Sequence, residues 1–231
     1  MGLYPLFSAC RKVTYLQTGV SANYAVKRRN ATLYIFFEGS DGKNDWKNNF
    51  DFPAKPYKRM GKTIWFAHRG FLRTWKEIEP MIAKDIADKF FKEIVIVGYS
   101  HGGALAMLCH EYAWFRRPDL RGKIKSYGFG APRVFWGLKT PSLKRRWQGF
   151  VIVRNIDDLV THLPPAVFGY SHVGELLTVG EKGKYTRIEA HLAKNLAQEL
   201  IRYDQSRKEL KNATNGAKGN YSFGSNRVES F

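Results

Sequence analysis

Apolar residues along the chain occur in two patterns, which predict alternating strands and helices. Continuous apolar or β-branched runs are typical of strands buried on both faces. We predict such strands at 32–37 (TLYIFF), 62–66, 94–97 (IVIV), 124–129 and 150–153. Phe71, Trp75, Ile78, Ile82 and Ile86 recur every three or four residues, which predicts an amphipathic helix over 71–91. This alternation favours an α/β fold, with a mainly parallel sheet covered by helices on both faces.

Two further elements are predicted near the end of the chain. Residues 176–179 and 185–188 flank a Gly-Glu-Lys-Gly segment and read as a hairpin, and leucines at four-residue spacing predict a helix over 191–210. The last twenty residues are rich in Asn, Gly and Ser, and no linker divides the preceding sequence. We therefore expect one domain over 1–210 and a flexible tail over 211–231.

Ser100 lies in the most informative segment, IVIVGYSHGGALAMLCH (94–110). A buried strand, a G-x-S-x-G turn and a small-residue helix follow one another, which is the context that a nucleophilic serine requires. Glycines leave room for strand and helix to crowd together, and the helix N-terminus supplies N–H groups for an oxyanion. An incidental serine in a Gly-rich turn is the alternative, and the complete strand–turn–helix context favours the nucleophile.

A serine nucleophile needs a histidine base and a carboxylate that orients it, in the chain order Ser, Asp or Glu, His for this kind of turn. Asp157 and Asp158 follow the strand at 150–153, at the sheet edge that carries functional residues. Downstream, His191 follows the last predicted strand and opens the last helix, so we choose it as the base. His172, on a loop that enters a strand, is the second choice.

These segments together resemble the class 3 lipases, the fungal-type triacylglycerol lipase family of α/β-hydrolases. The resemblance runs in register from about Leu33 to Leu196 over these ordered motifs: FFEGSDGKNDW (36–46), HRGF (68–71), GYSHGGALA (98–106), YGFGAPRVF (127–135), NIDDLVTHLPP (155–165), FGYSHVGE (168–175) and EAHLAKN (189–195). It implies an α/β-hydrolase fold and aligns Asp158 with the catalytic acid and His191 with the catalytic base. It also implies that Ser40 and His101 donate oxyanion-hole N–H groups. No cofactor and no metal are expected.

The chain is strongly basic: 38 Lys and Arg against 20 Asp and Glu give a formal charge of +18. Because the excess is dispersed, we expect a cationic surface that can contact anionic membranes rather than a specific nucleic-acid site. A hydrolase-fold binder of polyanions is the competing class. The ordered Ser100, Asp158 and His191 argue for an enzyme, and aromatic residues fall at core spacing rather than among the basic clusters.

The substrate is expected to be an acyl ester or lipid, with a phospholipase on anionic membranes as an alternative. Residues 41–51 (DGKNDWKNNFD), where the resemblance places a lid, are polar apart from Trp46 and Phe50, which predicts weak interfacial activation. A cleaved signal peptide is not expected from the N-terminal pattern, and Cys10 and Cys109 make no disulfide framework. On these grounds the sequence predicts a cytoplasmic protein.

Overall fold

A six-stranded central sheet carries the predicted buried strands. The computed structural model describes residues 2–20, 22–39 and 53–219. The sheet comprises β1 (Tyr24–Arg29), β2 (Thr32–Phe37), β5 (Glu93–Tyr99), β6 (Ile124–Phe129), β8 (Phe150–Asn155) and β10 (Glu175–Val179), in the order β1-β2-β5-β6-β8-β10. β1 is antiparallel to β2, and all the other pairs are parallel. The carboxyl ends of β5, β6 and β8 therefore meet at one edge.

Helices cover both faces of this sheet, because successive residues of a buried strand point to opposite faces and are apolar on both. Ile35 and Ile96 pack on the side of α2 (Arg69–Ala87) and α3 (His101–Arg116). On the other face, Phe36 and Val97 pack with α1 (Leu3–Lys12) and the start of α5 (Ala193–Gly219). A short helix, α4 (Pro141–Arg146), precedes β8. The predicted parallel sheet with two covered faces is confirmed.

A second sheet of four antiparallel strands lies beside the first and was not predicted as a unit. It comprises β3 (Ala54–Arg59), β4 (Lys62–His68), β7 (Phe135–Trp136) and β9 (Tyr170–Ser171), in that order. On its inner face Trp65 stacks on both Tyr57 and Phe135, at ring-centroid distances of 4.9 and 5.4 Å. In the described ranges, no helix combines the length and the apolar character that crossing a membrane requires.

The predicted hairpin at 176–179 and 185–188 is wrong. β10 pairs in parallel with β8, and 185–188 is not a strand. The segment is instead tied to the turn after β8, because Leu159 N–H donates to the carbonyl of Arg187 (3.1 Å) and Gly183 N–H donates to the Asp157 carboxylate (2.6 Å). α5 continues to Gly219, past the expected boundary at 210, while residues 220–231 lie outside the described part. The division into a domain over 1–210 and a flexible tail stays a prediction.

Candidate active site

Ser100 occupies a strained turn between β5 and α3. Its φ and ψ are 53° and −121°, a conformation that costs a non-glycine residue roughly 1–3 kcal/mol. The flanking glycines permit the turn: a Cβ on Gly98 would lie 2.0 Å from the carbonyl oxygen of Gly102, and one on Gly102 would lie 2.4 Å from that of Phe37. Ser100 N–H donates to the Phe129 carbonyl at 2.8 Å. The turn therefore fixes the serine at the carboxyl edge of β5 and β6.

His191 lies against the serine hydroxyl. Its Nε2 is 2.9 Å from Ser100 Oγ, and the two residues are only 4% and 6% exposed. His191 ends a 3₁₀ turn (Glu189–His191) that leads into α5. Since Nε2 faces a hydroxyl, the neutral ring can accept the serine proton provided that its own proton is on Nδ1.

Asp158 satisfies that condition. Both of its carboxylate oxygens lie near His191 Nδ1, at 3.0 and 2.9 Å, and the residue is fully buried. Val160 N–H donates to Oδ1 at 2.9 Å and Thr161 Oγ donates to the Asp158 carbonyl at 2.8 Å, so the turn after β8 holds the carboxylate in place. The carboxylate of Asp157, the other acid weighed, accepts instead from Gly183 N–H.

His172, the second-choice base, lies elsewhere. Its Nε2 donates to the Thr161 carbonyl at 2.7 Å, and burial lowers the pKa of His172 to about 4. This histidine supports the loop that follows Asp158. Of the two candidates, His191 is the one within hydrogen-bond distance of Ser100.

Tyr99 and Gly130 contact or lie against His191 and were not singled out from the sequence. Tyr99 Oη donates to the His191 carbonyl at 2.6 Å, and its ring stacks on the imidazole at 5.3 Å with an interplanar angle of 16°. Gly130 has a φ of +56°, and a Cβ there would lie 3.1 Å from both Asp158 Oδ2 and His191 Nδ1. The variable position of G-x-S-x-G carries no signal for Tyr99, whereas the YGFGAPRVF motif does contain Gly130.

Of the two predicted oxyanion donors, His101 lies within the described residues and Ser40 does not. His101 is the first residue of α3, where helix N–H groups project beyond the N-terminus, and its ring lies 5.5 Å from that of Phe71. Ser40, together with the polar segment 41–51, lies outside the described residues, so its role stays a prediction. Gly39 abuts the elbow, since a Cβ there would lie 2.6 Å from the Tyr99 ring. Glu38, which precedes Gly39, is partly buried, and its carboxylate accepts from Asn23 Nδ2 at 2.8 Å.

Comparison with known proteins assigns the family. The model of the family described as "Lipase (class 3)" matches residues 34–168, more than half of the chain. The chain belongs to the class 3 lipases. The α/β-hydrolase fold that the resemblance implied is thereby confirmed, together with the mostly parallel sheet.

Individual relatives agree with this assignment. The chain is 30% identical to a Rhizomucor miehei lipase over 149 residues, which are 62% of this chain and 40% of that protein. It is 30% identical to the Fusarium solani "Secreted mono- and diacylglycerol lipase 1" over 161 residues, or 68% and 46% of the two chains. The solved Rhizomucor miehei triacylglyceride lipase superposes with a TM-score of 0.59 at 27% identity, covering 73% of this chain and 65% of that one. The chain thus spans less than half the length of these curated relatives.

The expectation of a cytoplasmic protein is contradicted by these comparisons, because the Fusarium relative is named as a secreted enzyme. The cysteine argument failed for a physical reason. Cys10 and Cys109 are both buried and free, Cys109 within the apolar core and Cys10 with its thiol donating to the Phe37 carbonyl, so neither carries information about the redox compartment.

Proposed function

We infer that this class 3 lipase chain is a serine carboxylic ester hydrolase that acts on acyl esters of the glycerolipid type. The observation that carries the proposal is the hydrogen-bonded series Asp158–His191–Ser100 on a strained elbow, with donor–acceptor distances of 2.9 and 2.9 Å. The names of its relatives, which include lipases and a mono- and diacylglycerol lipase, support the substrate class.

The geometry suits a two-step acyl transfer. Ser100 Oγ attacks the ester carbonyl while His191 Nε2 takes its proton, and the Asp158 carboxylate stabilises the imidazolium through Nδ1–H. His191 then returns the proton to the leaving alcohol, which leaves an acyl group on Ser100. A water molecule, deprotonated by the same Nε2, hydrolyses this acyl-enzyme and restores the serine.

The negative charge that develops on the carbonyl oxygen needs donors beside the elbow. The backbone N–H of His101 and that of Ser40 are proposed for this role, and removal of one oxyanion donor typically costs about 10²–10³ in rate. The start of α3 adds its positive dipole end. The proposed reaction needs no metal ion, and the described residues hold no group of three His, Cys, Asp or Glu suited to bind one.

A fluorophosphonate probe and an ester series test the proposal. The full chain is expected to be labelled at Ser100 and to hydrolyse p-nitrophenyl esters and monoacyl- or diacylglycerols, with phosphatidylcholine as a parallel substrate. Ser100→Ala is the matched control and should take no label. A folded wild-type chain that neither takes the label nor hydrolyses any of these esters would overturn the proposal and favour the binding-protein alternative.

A further inference from the structure

Four large apolar side chains are exposed on and beside the outer face of the second sheet. Trp65 and Ala67 of β4 face the core, so Phe66 between them points outward, where its ring lies 5.5 Å from that of Trp136. Trp136 Nε1 donates to the Phe168 carbonyl at 2.8 Å, which places the turn Ala166–Phe168 alongside. Phe66, Trp136, Val167 and Phe168, which are 39%, 38%, 84% and 61% exposed, are here called the apolar ridge.

A strand pair and a series of buried rings connect the apolar ridge to the residue next to Ser100. Trp136 pairs with Tyr170, and the Tyr170 ring lies 5.9 Å from that of His68. The His68 ring lies 4.3 Å from that of Phe71, which in turn is 5.5 Å from the ring of His101, next to Ser100. A row of ring contacts, here called the ring row, therefore runs from Tyr170, the strand partner of Trp136, to His101 next to Ser100.

A groove of about 520 Å³ lies between β3 and α2. Four exposed cations line it: Lys55, Lys58, Arg73 and Lys76, here called the basic groove. Among the described residues that line it, Glu77 is the one carboxylate. Pro56 connects the two surfaces, since it lines the groove and pairs with Phe66 of the ridge across β3 and β4.

Aromatic side chains beside clustered cations suit the boundary of an anionic lipid layer. Trp and other amphipathic rings concentrate at the headgroup level, and each basic residue close to an anionic surface favours binding about fivefold. A contiguous exposed apolar patch also marks an interaction site. The formal charge of +18 attracts the same surface at longer range.

We propose that the apolar ridge and the basic groove together form a docking surface for lipid aggregates with anionic headgroups. The docked surface lies beside the ring row that leads to Ser100, and it uses fixed residues outside the segment 41–51. The proposal rests on the ester hydrolase function in one respect, namely that the docked lipid supplies the ester.

Vesicle sedimentation with the Ser100→Ala chain tests the docking without hydrolysing the vesicles. The chain is expected to bind phosphatidylcholine vesicles that contain phosphatidylglycerol more tightly than phosphatidylcholine alone, and less tightly at high salt, where charges are screened over about 3 Å rather than about 10 Å. Changing Lys55, Lys58, Arg73 and Lys76 together to Gln should lower the partition constant at least about tenfold. Val167→Ser with Phe168→Ser should lower it about tenfold at both salt concentrations, because apolar burial is not screened.

A matched control removes four scattered exposed cations instead. Lys12, Lys84, Lys123 and Lys208 changed to Gln lower the net charge equally, and the partition constant is expected to fall less than about threefold. With Ser100 restored, the ridge and groove variants should hydrolyse p-nitrophenyl acetate at the wild-type rate, which shows that fold and triad are intact.

Three results would overturn the docking surface. One is an equal loss in the scattered control, which would mean that diffuse charge alone binds the vesicles. Another is wild-type vesicle binding by both the ridge and groove variants. The third is wild-type vesicle binding by the ridge variant with loss of self-association in sedimentation velocity, which would make the ridge a contact between copies. If wild type hydrolyses no ester, the proposed function fails, and the vesicle data from Ser100→Ala still decide the docking.

Discussion

Ser100 and His191 form one buried serine–histidine pair of this molecule, and Ser126 and His110 form another. The hydrogen bonds are alike, at 2.9 Å from Ser100 Oγ to His191 Nε2 and 2.7 Å from Ser126 Oγ to His110 Nδ1. In each ring the far nitrogen faces an oxygen. That oxygen belongs to the Asp158 carboxylate in the first pair and to the Arg146 carbonyl, 2.8 Å from His110 Nε2, in the second.

The charge of that oxygen separates the two pairs chemically. A carboxylate stabilises the imidazolium that forms when serine loses its proton, whereas a neutral carbonyl in a buried site does so weakly. Burial accordingly lowers the pKa of His110 to about 4. Ser126 also lies inside β6 at 0% exposure, without the strained elbow of Ser100. Ser100 therefore combines a histidine, a carboxylate and a strained turn, whereas Ser126 has the histidine alone.

The sharpest test of the comparison replaces each serine with alanine. Ser100→Ala should lower kcat on the order of 10⁶, because a triad nucleophile is lost. Ser126→Ala should leave kcat near wild type and lower the free energy of unfolding by about 1–3 kcal/mol, because His110 Nδ1 loses its donor. Ester hydrolysis and urea denaturation measure the two effects. Comparable losses of activity at normal folding would show that the second pair takes part in catalysis.

The histidine pair His191 and His172 tests the choice of base. His191→Ala should lower kcat nearly as far as the serine change, on the order of 10⁶. His172→Ala should cost less than about tenfold, because His172 contacts the Thr161 carbonyl rather than Ser100. Steady-state rates measure the loss of kcat in each variant, and circular dichroism checks that each variant is folded. An inactive, normally folded His172→Ala would reverse the assignment.

The adjacent acids provide the next comparison. Asp158→Asn should lower kcat about 10⁴-fold, since an amide neither stabilises the imidazolium nor fixes the tautomer. Asp157→Asn should leave activity within about threefold of wild type, because the amide oxygen can still accept from Gly183 N–H. A severe loss of activity in Asp157→Asn at unchanged stability would contradict the alignment that makes Asp158, rather than Asp157, the catalytic acid.

Elements that have a local sequence pattern could be predicted from the sequence, whereas elements that depend on contacts between distant residues could not. A strand buried on both faces needs a continuous apolar run, which is visible in the sequence. The observed β2 and β6 therefore have the predicted bounds, Thr32–Phe37 and Ile124–Phe129. The motif order likewise indicated the three residues that the structure brings together. Strands of two residues, such as Phe135–Trp136, leave no local pattern and depend on distant partners.

Two other differences have local causes. No helix was predicted over 3–12, where the structure has α1; Pro5 lies in the first turn of that helix, where its missing N–H costs little. The hairpin was expected from the Gly-Glu-Lys-Gly segment between 176–179 and 185–188, whereas hydrogen bonds of Gly183 and Arg187 tie this part of the chain to the turn after β8.

A further comparison concerns the pH dependence of stability, to which the core pair of Ser126 and His110 contributes. His110 has a pKa of about 4 in the fold against about 6.5 unfolded, so between these values the unfolded chain binds the proton and the native chain does not. The contribution of His110 is therefore fully present above pH 6.5 and is lost as the pH falls toward 4, by about 3 kcal/mol in total. Urea denaturation at pH 7 and pH 4.5 should show that His110→Gln loses less stability over this interval than wild type. His172, with a pKa also lowered to about 4, adds a loss of the same sign, so the variant should keep part of the slope. An unchanged slope in His110→Gln would mean that His110 is already charged in the native core, and would remove the contrast between the two serine–histidine pairs.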